Sequence, residues 1–297
     1  MSGKLKEVRE RMKSVSSTQQ ITKAMKMVSA SKLRRAQQAI TEMRPYANRL
    51  DKMMKNIVYN LDGDFNSPFV KTRELKKVAV LVITSNRGLC GAFNANILKL
   101  AFFYAKEHYA EQYEAGNLSF LCIGKKGFDY FRRRFPKATF IDQYLTLYSN
   151  HNFEKIAALA DRLMIDFQNS TFDQLELYYG RFKNAGTQFP EREQYLPVGK
   201  LEVESNVKTG MKADYIFEPN QQQLLEELIP SILQTQLFKC LLDTQASEHG
   251  ARMTAMDKAT ENANELLNGL KLSYNRARQA AITTELIEII SGVEALK

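Results

Sequence analysis

The stretch Asn86-Arg-Gly-Leu-Cys-Gly91 is the part of this chain that comes closest to a reactive site. It follows the near-continuous apolar run Val78–Thr84, which reads as a strand buried on both faces. It precedes a segment of helical character that begins at Phe93. A glycine-rich turn in that setting can bind phosphate, because the first free N–H groups of the helix point at the anion. The stretch lacks the G-x-G-x-x-G spacing, however, and no G-K-[ST] follows. Gly124-Lys-Lys-Gly127 is a weaker instance of the same pattern. At both places a tight turn that needs positive φ at glycine accounts for the residues. Cys90 is a nucleophile by type, but no histidine stands near it, and the chain holds only His108, His151 and His249. A small buried thiol is the better account of Cys90. Cys90, Cys122 and Cys240 are odd in number and widely spaced, with no metal-ligand spacing. They read as reduced thiols of a cytosolic compartment. No paired-carboxylate or Ser/His/Asp arrangement is present. The expectation is a non-catalytic chain with no metal and no cofactor.

The elements around this loop carry more information than the loop itself. From Lys4 to Arg44 the chain has neither glycine nor proline. From Ser231 to Lys297 it has no proline, and only Gly250, Gly269 and Gly292. Runs of that length imply a coiled coil, a membrane span or a helical repeat. Neither has the roughly 20 unbroken apolar residues of a membrane span, and no 30–50-residue self-similarity points to a solenoid. Two helices at opposite ends of one chain must pair antiparallel beside whatever lies between them. At 1.5 Å per residue they reach about 87 Å and about 114 Å, so the second is expected to overhang the first.

The first run places Leu5, Val8, Met12 and Val15, then Leu33, Ala36, Ile40, Met43, Ala47, Leu50, Met54, Ile57 and Leu61, on one heptad phase. Between these blocks the phase lands on Gln19, Thr22, Lys26 and Ser29, all polar. The apolar residues shift to Ile21, Ala24, Met25 and Val28. Drift in helix packing and a face turned towards another partner both account for this shift. Pro45 predicts a mild kink. In the last run the small residues Ala246, Ser247, Gly250, Ala251, Ala255, Ala259 and Ala263 predict close approach of the two helices. A regular seam at Ile282, Leu286, Ile289, Val293 and Leu296 is expected in the overhang, sheathed by another protein.

The middle alternates strands and helices: a strand at Val78–Thr84, helix from Phe93 to about Glu114, a strand at Phe120–Ile123, helices at Gly127–Phe135 and Phe153–Gln168, and a strand at Leu175–Tyr179. Residues 184–219 read as strands and loops returning to the final helix. This pattern predicts a small, mostly parallel α/β sheet. The predicted division is a helix over residues 1–60, an α/β domain over 61–219 and a helix over 220–297.

Net charge is +9 and unevenly placed: residues 1–59 hold 14 Lys/Arg against 4 Asp/Glu, and residues 220–297 hold 7 against 10. A basic rod implies an acidic partner. The basic N-terminus resembles a transit peptide in charge, but Glu7 and Glu10 argue against one. One reading of the charge is a nucleic-acid-binding coiled-coil arm. Against it, the basic residues surround an apolar seam and no aromatic platform accompanies them.

Four stretches resemble one family. They are Ile21-Thr-Lys-Ala-Met-Lys-Met-Val28 with Ala30-Ser-Lys-Leu33; Arg87-Gly-Leu-Cys-Gly91; Ser247-Glu-His-Gly-Ala-Arg-Met-Thr-Ala-Met256; and Tyr274-Asn-Arg-Ala-Arg-Gln-Ala281 running into Ile289-Ile-Ser-Gly292. All are similar to gamma subunits of F-type ATP synthases, from about Gly3 to Leu296. The resemblance implies an antiparallel coiled coil emerging from a Rossmann-like domain. It implies a central shaft turning inside a ring of alpha and beta subunits, with the epsilon subunit and the membrane c-ring at the globular end. The setting would be the cytoplasmic face of a bacterial inner membrane, reached peripherally. By motif position, Met25, Lys26 and Arg252 would meet acidic beta-subunit loops, Arg278 and Gln279 would make polar contacts with the ring, and Ile289 and Val293 would turn in an apolar sleeve. The inserted cysteine pair of some plastid members is not present, so thiol control of that type is not expected.

Overall fold

A computed structural model describes residues 2–59, 68–69, 73–149, 152–198 and 221–295. The expected end of the first seam at Leu61 and the return segment 199–220 lie outside them, as does Leu296. The described residues fall into two compact units. One is Ser31–Ala251. The other joins Met1–Ala30 with Arg252–Lys297.

The larger unit is an α/β sandwich. Its strands are β1 (Val78–Ile83), β2 (Leu118–Ile123), β3 (Thr139–Ile141), β4 (Gln174–Asn184) and β5 (Thr187–Leu196). They form one sheet in the order β3-β2-β1-β4-β5. The first four run parallel, and β5 pairs antiparallel to β4. Every side chain of β1 is buried, as its unbroken Val/Ala/Leu/Ile run requires of a central strand covered on both faces.

The helices are α1 (Ser2–Tyr59), α2 (Phe93–His108), α3 (Ala110–Glu114), α4 (Lys125–Arg134), α5 (Phe153–Gln168) and α6 (Gln221–Ala295), with a 3-10 turn at Leu145–Tyr148. On one face of the sheet, Ala79, Leu81 and Ile83 pack with Leu159 and Leu163 of α5 and with Leu233, Leu237 and Leu241 of α6. On the other face, Val80, Val82 and Phe120 pack with Ile97 and Ala101 of α2 and Phe131 of α4. The period-2 alternation of the strands sorts the residues between these two cores. The expected strands and helices are all present. The stretch from Phe93 to Glu114 is two helices rather than one, and the three-residue β3 was not foreseen. α1 continues through Pro45.

Around Ser247 and Gly250 the small residues of α6 meet the sheet. Thr244 Oγ1 accepts from the Gly180 N–H at 3.3 Å, and Ser247 Oγ donates to the Gly180 carbonyl at 3.0 Å. A side chain at Gly250 would meet the Ala185 backbone at 3.1 Å. Gln245 donates to the Tyr148 carbonyl at 3.0 Å, and the Tyr148 hydroxyl bonds the Glu248 carboxylate. This stretch of α6 is therefore clamped to the β4–β5 hairpin. Gly180 must be glycine because an added Cβ would lie 2.6 Å from Phe93 Cε2.

In the smaller unit, side chains of α1 meet side chains of α6 in descending order. Arg9 donates to the Tyr274 hydroxyl at 3.1 Å, Gln19 bonds Asn264, Thr22 and Thr260 share a bond of 2.8 Å, and Lys26 pairs with Asp257 at 2.5 Å. As the number on α1 rises, the number on α6 falls, so the two segments run in opposite directions.

Candidate partner-contact faces

The loop after β1 is held by its own hydrogen bonds. Ser85 Oγ donates to the Arg87 carbonyl at 2.6 Å and accepts from Asn94 Nδ2 at 2.7 Å. Asn94 Oδ1 accepts from the Ser85 N–H at 3.0 Å, and Asn94 Nδ2 also lies 3.2 Å from Cys90 Sγ. The polar groups are used in holding the turn. Gly124, at φ 105°, is needed because a Cβ would meet the Thr84 carbonyl oxygen at 2.0 Å. All three cysteines are buried. Burial pushes the Cys122 thiol up to about 12 and the Cys240 thiol well above its ordinary value, which withholds the nucleophilic thiolate. No group of His, Cys, Asp and Glu among the described residues could hold a metal ion.

The faces of the two long helices are more informative. From Gln19 to Lys26 the heptad phase of α1 stays against α6. Thr22 and Ser29 are buried and Gln19 and Lys26 half-buried, and three of the four bond α6 across the seam. Thr22 Oγ1 also donates to the Gln19 carbonyl, and Ser29 Oγ donates to the Met25 carbonyl. A polar seam here turns the neighbouring apolar residues outward. Ile21 and Val28, seven residues apart on one face, are 60% and 56% exposed, and Met27 is exposed beside them. Of the two readings of the shifted stripe, the coordinates favour a face turned away from α6.

Of the expected contact residues, Met25 and Arg252 are half-buried, and Arg278 and Gln279 are exposed. Lys26 faces Asp257, and the two side chains remain 41% and 45% exposed. Such a pair contributes only about 0–1 kcal/mol. Ile289 and Val293 are 63% and 58% exposed.

The C-terminal seam needs correction. Ile282 and Leu286 do not lie in an overhang. Ala281, Thr284, Glu285 and Glu288 line a groove shared with Leu5, Lys6 and Arg9 of α1. The half-buried residues of this stretch are Tyr274, Ala277, Ala281 and Thr284. Ile282, Leu286, Ile289 and Val293 instead form an outward face, extended by Ile287 and Ile290, which sequence reasoning did not single out. The signal was there: Ile-Glu-Ile-Ile is too apolar for one narrow seam. Met27 was missed in the same way. Asp257, Thr260 and Asn264 were missed because only apolar residues were sought opposite α1.

The ATP synthase family model matches residues 4–296. The chain is 48% identical over 292 residues to the ATP synthase gamma chain of Cytophaga hutchinsonii, covering 98% of each, and 49% identical over 293 residues to that of Flavobacterium psychrophilum, covering 99% of each. The chain belongs to the ATP synthase gamma-chain family. Solved structures agree in fold. The central stalk and c-ring structure of Tetrahymena thermophila mitochondrial ATP synthase contains a chain with TM-score 0.57 and 26% identity, covering 80% of this chain and 99% of that one. A chain of the Euglena gracilis mitochondrial ATP synthase reaches TM-score 0.69 at 22% identity, covering 100% of this chain and 95% of that one. These relatives lend no support to a nucleic-acid-binding arm. No helix among the described residues is long and apolar enough to cross a membrane.

Proposed function

We propose that this chain is the rotating shaft of an F-type ATP synthase, a non-catalytic subunit that couples ion flow through a membrane c-ring to ATP synthesis or hydrolysis on the beta subunits of an alpha/beta ring. The observation that carries the proposal is a family match over both long helices together with the α/β unit, in a chain whose loop after β1 is held by its own hydrogen bonds. The two helices then form an antiparallel coiled coil, with the α/β domain between residues 61 and 219 inserted in it. The outward residues Ile21, Met27 and Val28 on α1, with Ile282 to Val293 on α6, give the shaft different sides. A shaft with unlike sides presents a different surface to each beta subunit as it turns, which is a differential contact of the kind needed to shift their equilibria.

In this reading Met25, Lys26 and Arg252 meet acidic beta-subunit loops. Arg278 and Gln279 make polar contacts with the ring, and Ile289 and Val293 turn in its apolar sleeve. The epsilon subunit and the c-ring bind at the α/β unit, on the cytoplasmic face of the bacterial inner membrane, and no cofactor is bound. Co-expression with the alpha and beta chains of the same organism tests the proposal. The expected result is co-purification of all three as one ATP-hydrolysing complex. A monodisperse monomer with both ends protease-resistant, found beside a ring that excludes it, would contradict the proposal.

A further inference from the structure

We propose that the outer face of α4, with the neighbouring end of α2, is a docking site for an acidic peptide segment of a partner protein, which places carboxylates in the arginine forks and an apolar side chain against Phe103. The helix α4 reads Lys-Lys-Gly-Phe-Asp-Tyr-Phe-Arg-Arg-Arg, five cations against one acid. Arg132, Arg133 and Arg134 fill its last turn, and all three are exposed. Cations there suit the negative end of the helix dipole, but that effect does not require three arginines and does not explain what lies beside them. Phe103 of α2 is 62% exposed. Its ring meets Phe102 edge-on at 5.6 Å, and Phe102 meets Tyr130 of α4 at 6.3 Å. Arg134 lies flat on Tyr130 at 3.7 Å from the ring centroid, with one donor on the Tyr130 carbonyl at 3.4 Å.

The chemistry of the occupant is indicated by the same arrangement elsewhere in this unit. Arg192 lies 3.8 Å over the Tyr104 ring and grips Glu176 with both Nε, at 2.5 Å, and Nη2, at 3.1 Å. Arg181 lies 5.4 Å over Phe189 and pairs with Glu191 at 2.6 Å. In both, a guanidinium over an aromatic ring meets a carboxylate, and Arg192 does so with the bidentate geometry arginine favours. Arg134 on Tyr130 repeats the parked guanidinium, and so does Arg132, at 5.5 Å from the Phe128 ring, but neither meets a carboxylate among the described residues. Arginine with exposed aromatic residues is also the composition of interface cores. A nucleic acid would want free ring faces to stack on, whereas Arg134 covers the face of Tyr130. The proposal rests on side chains of the α/β unit alone and does not depend on the shaft reading.

The test is fluorescence anisotropy of a labelled glutamate-rich peptide carrying one phenylalanine, titrated with the full chain. The competing surface is vesicles of phosphatidylglycerol. Changing Arg132, Arg133 and Arg134 together to alanine should weaken peptide binding by about tenfold or more. Changing the same three to lysine keeps the charge but removes the planar fork, and should still weaken it by about fivefold. Phe103→Ser should weaken it by a smaller factor and leave the salt dependence unchanged. All four residues are exposed, so thermal unfolding of each variant should match that of the parent. Arg133→Glu alone provides the charge test if the triple variant unfolds. Equal binding by the lysine variant, or tighter binding of the parent to the vesicles than to the peptide, would overturn the proposal.

Discussion

Asp243 is the residue whose environment most clearly conflicts with its charge. Burial, together with Glu191 and Glu193 on β5, raises its carboxyl to about 6, against the partial relief of Lys239 and Arg44. A carboxyl raised in the folded state binds its proton there more readily than in the unfolded chain. Its contribution to stability is therefore best below about pH 4 and is lost as pH climbs towards 6. Asp243→Asn removes that loss. The variant should gain roughly 2–3 kcal/mol relative to the parent between pH 4 and pH 7, read from denaturant unfolding at the two pH values. An unchanged difference would mean that the carboxylate finds solvation at neutral pH. Glu176 makes the opposite case. It is fully buried, but Arg192 satisfies it twice. Arg192→Ala leaves that buried carboxylate with the Gln174 amide as a donor but without a cation and should cost about 3–5 kcal/mol, whereas loss of the exposed Lys76–Glu74 pair should change stability far less.

At the scale of elements, the clamp of α6 on the β4–β5 hairpin and the outward apolar faces are separable. Gly180→Ala drives a methyl group towards Phe93 and disturbs the strand that Thr244 and Ser247 hold. It should lower the stability of the α/β unit by about 1–3 kcal/mol, measured by thermal unfolding. Ile289→Asp with Val293→Asp should leave helix content by circular dichroism unchanged, because both side chains already face solvent. The pair should nevertheless impair assembly with the ring, because a charge buried unpaired in an apolar sleeve costs several kcal/mol. Retained assembly would remove the sleeve from the account.

These elements also mark how far the sequence could be read. Val78 to Ile83 has the composition of a doubly covered strand, and Leu33, Ala36 and Ile40 hold a strict heptad phase, so both were legible. Thr139–Ile141 was not, because three residues carry no period. The polar seam was hidden because Thr22 and Ser29 bury their hydroxyls by bonding their own helix, so they look like surface residues in sequence. The direction of the Ile282 to Val293 stripe is misread from heptad spacing alone, which suggests a seam, although Ile287 and Ile290 make the stretch too apolar for one. The half-buried Tyr274, Ala277 and Ala281 show the actual direction.

For the whole molecule, the shaft reading predicts that damage to the rotor surface uncouples rather than abolishes. Arg252→Glu should lower ATP-driven proton pumping more than ATP hydrolysis in membranes that carry the variant, because no catalytic group is lost while the sliding surface gains a like-charge clash. An unchanged ratio of the two rates would exclude Arg252 from the coupling contact. Rotation itself is the most direct test. The three native cysteines are buried, so Glu111→Cys, on an exposed position of α3, offers a selective attachment point for a bead on the α/β unit. With the alpha/beta ring fixed to a surface, addition of ATP should turn the bead continuously in one direction. A bead that stays still, or only fluctuates, while the same complexes hydrolyse ATP would contradict the claim that this chain is the shaft.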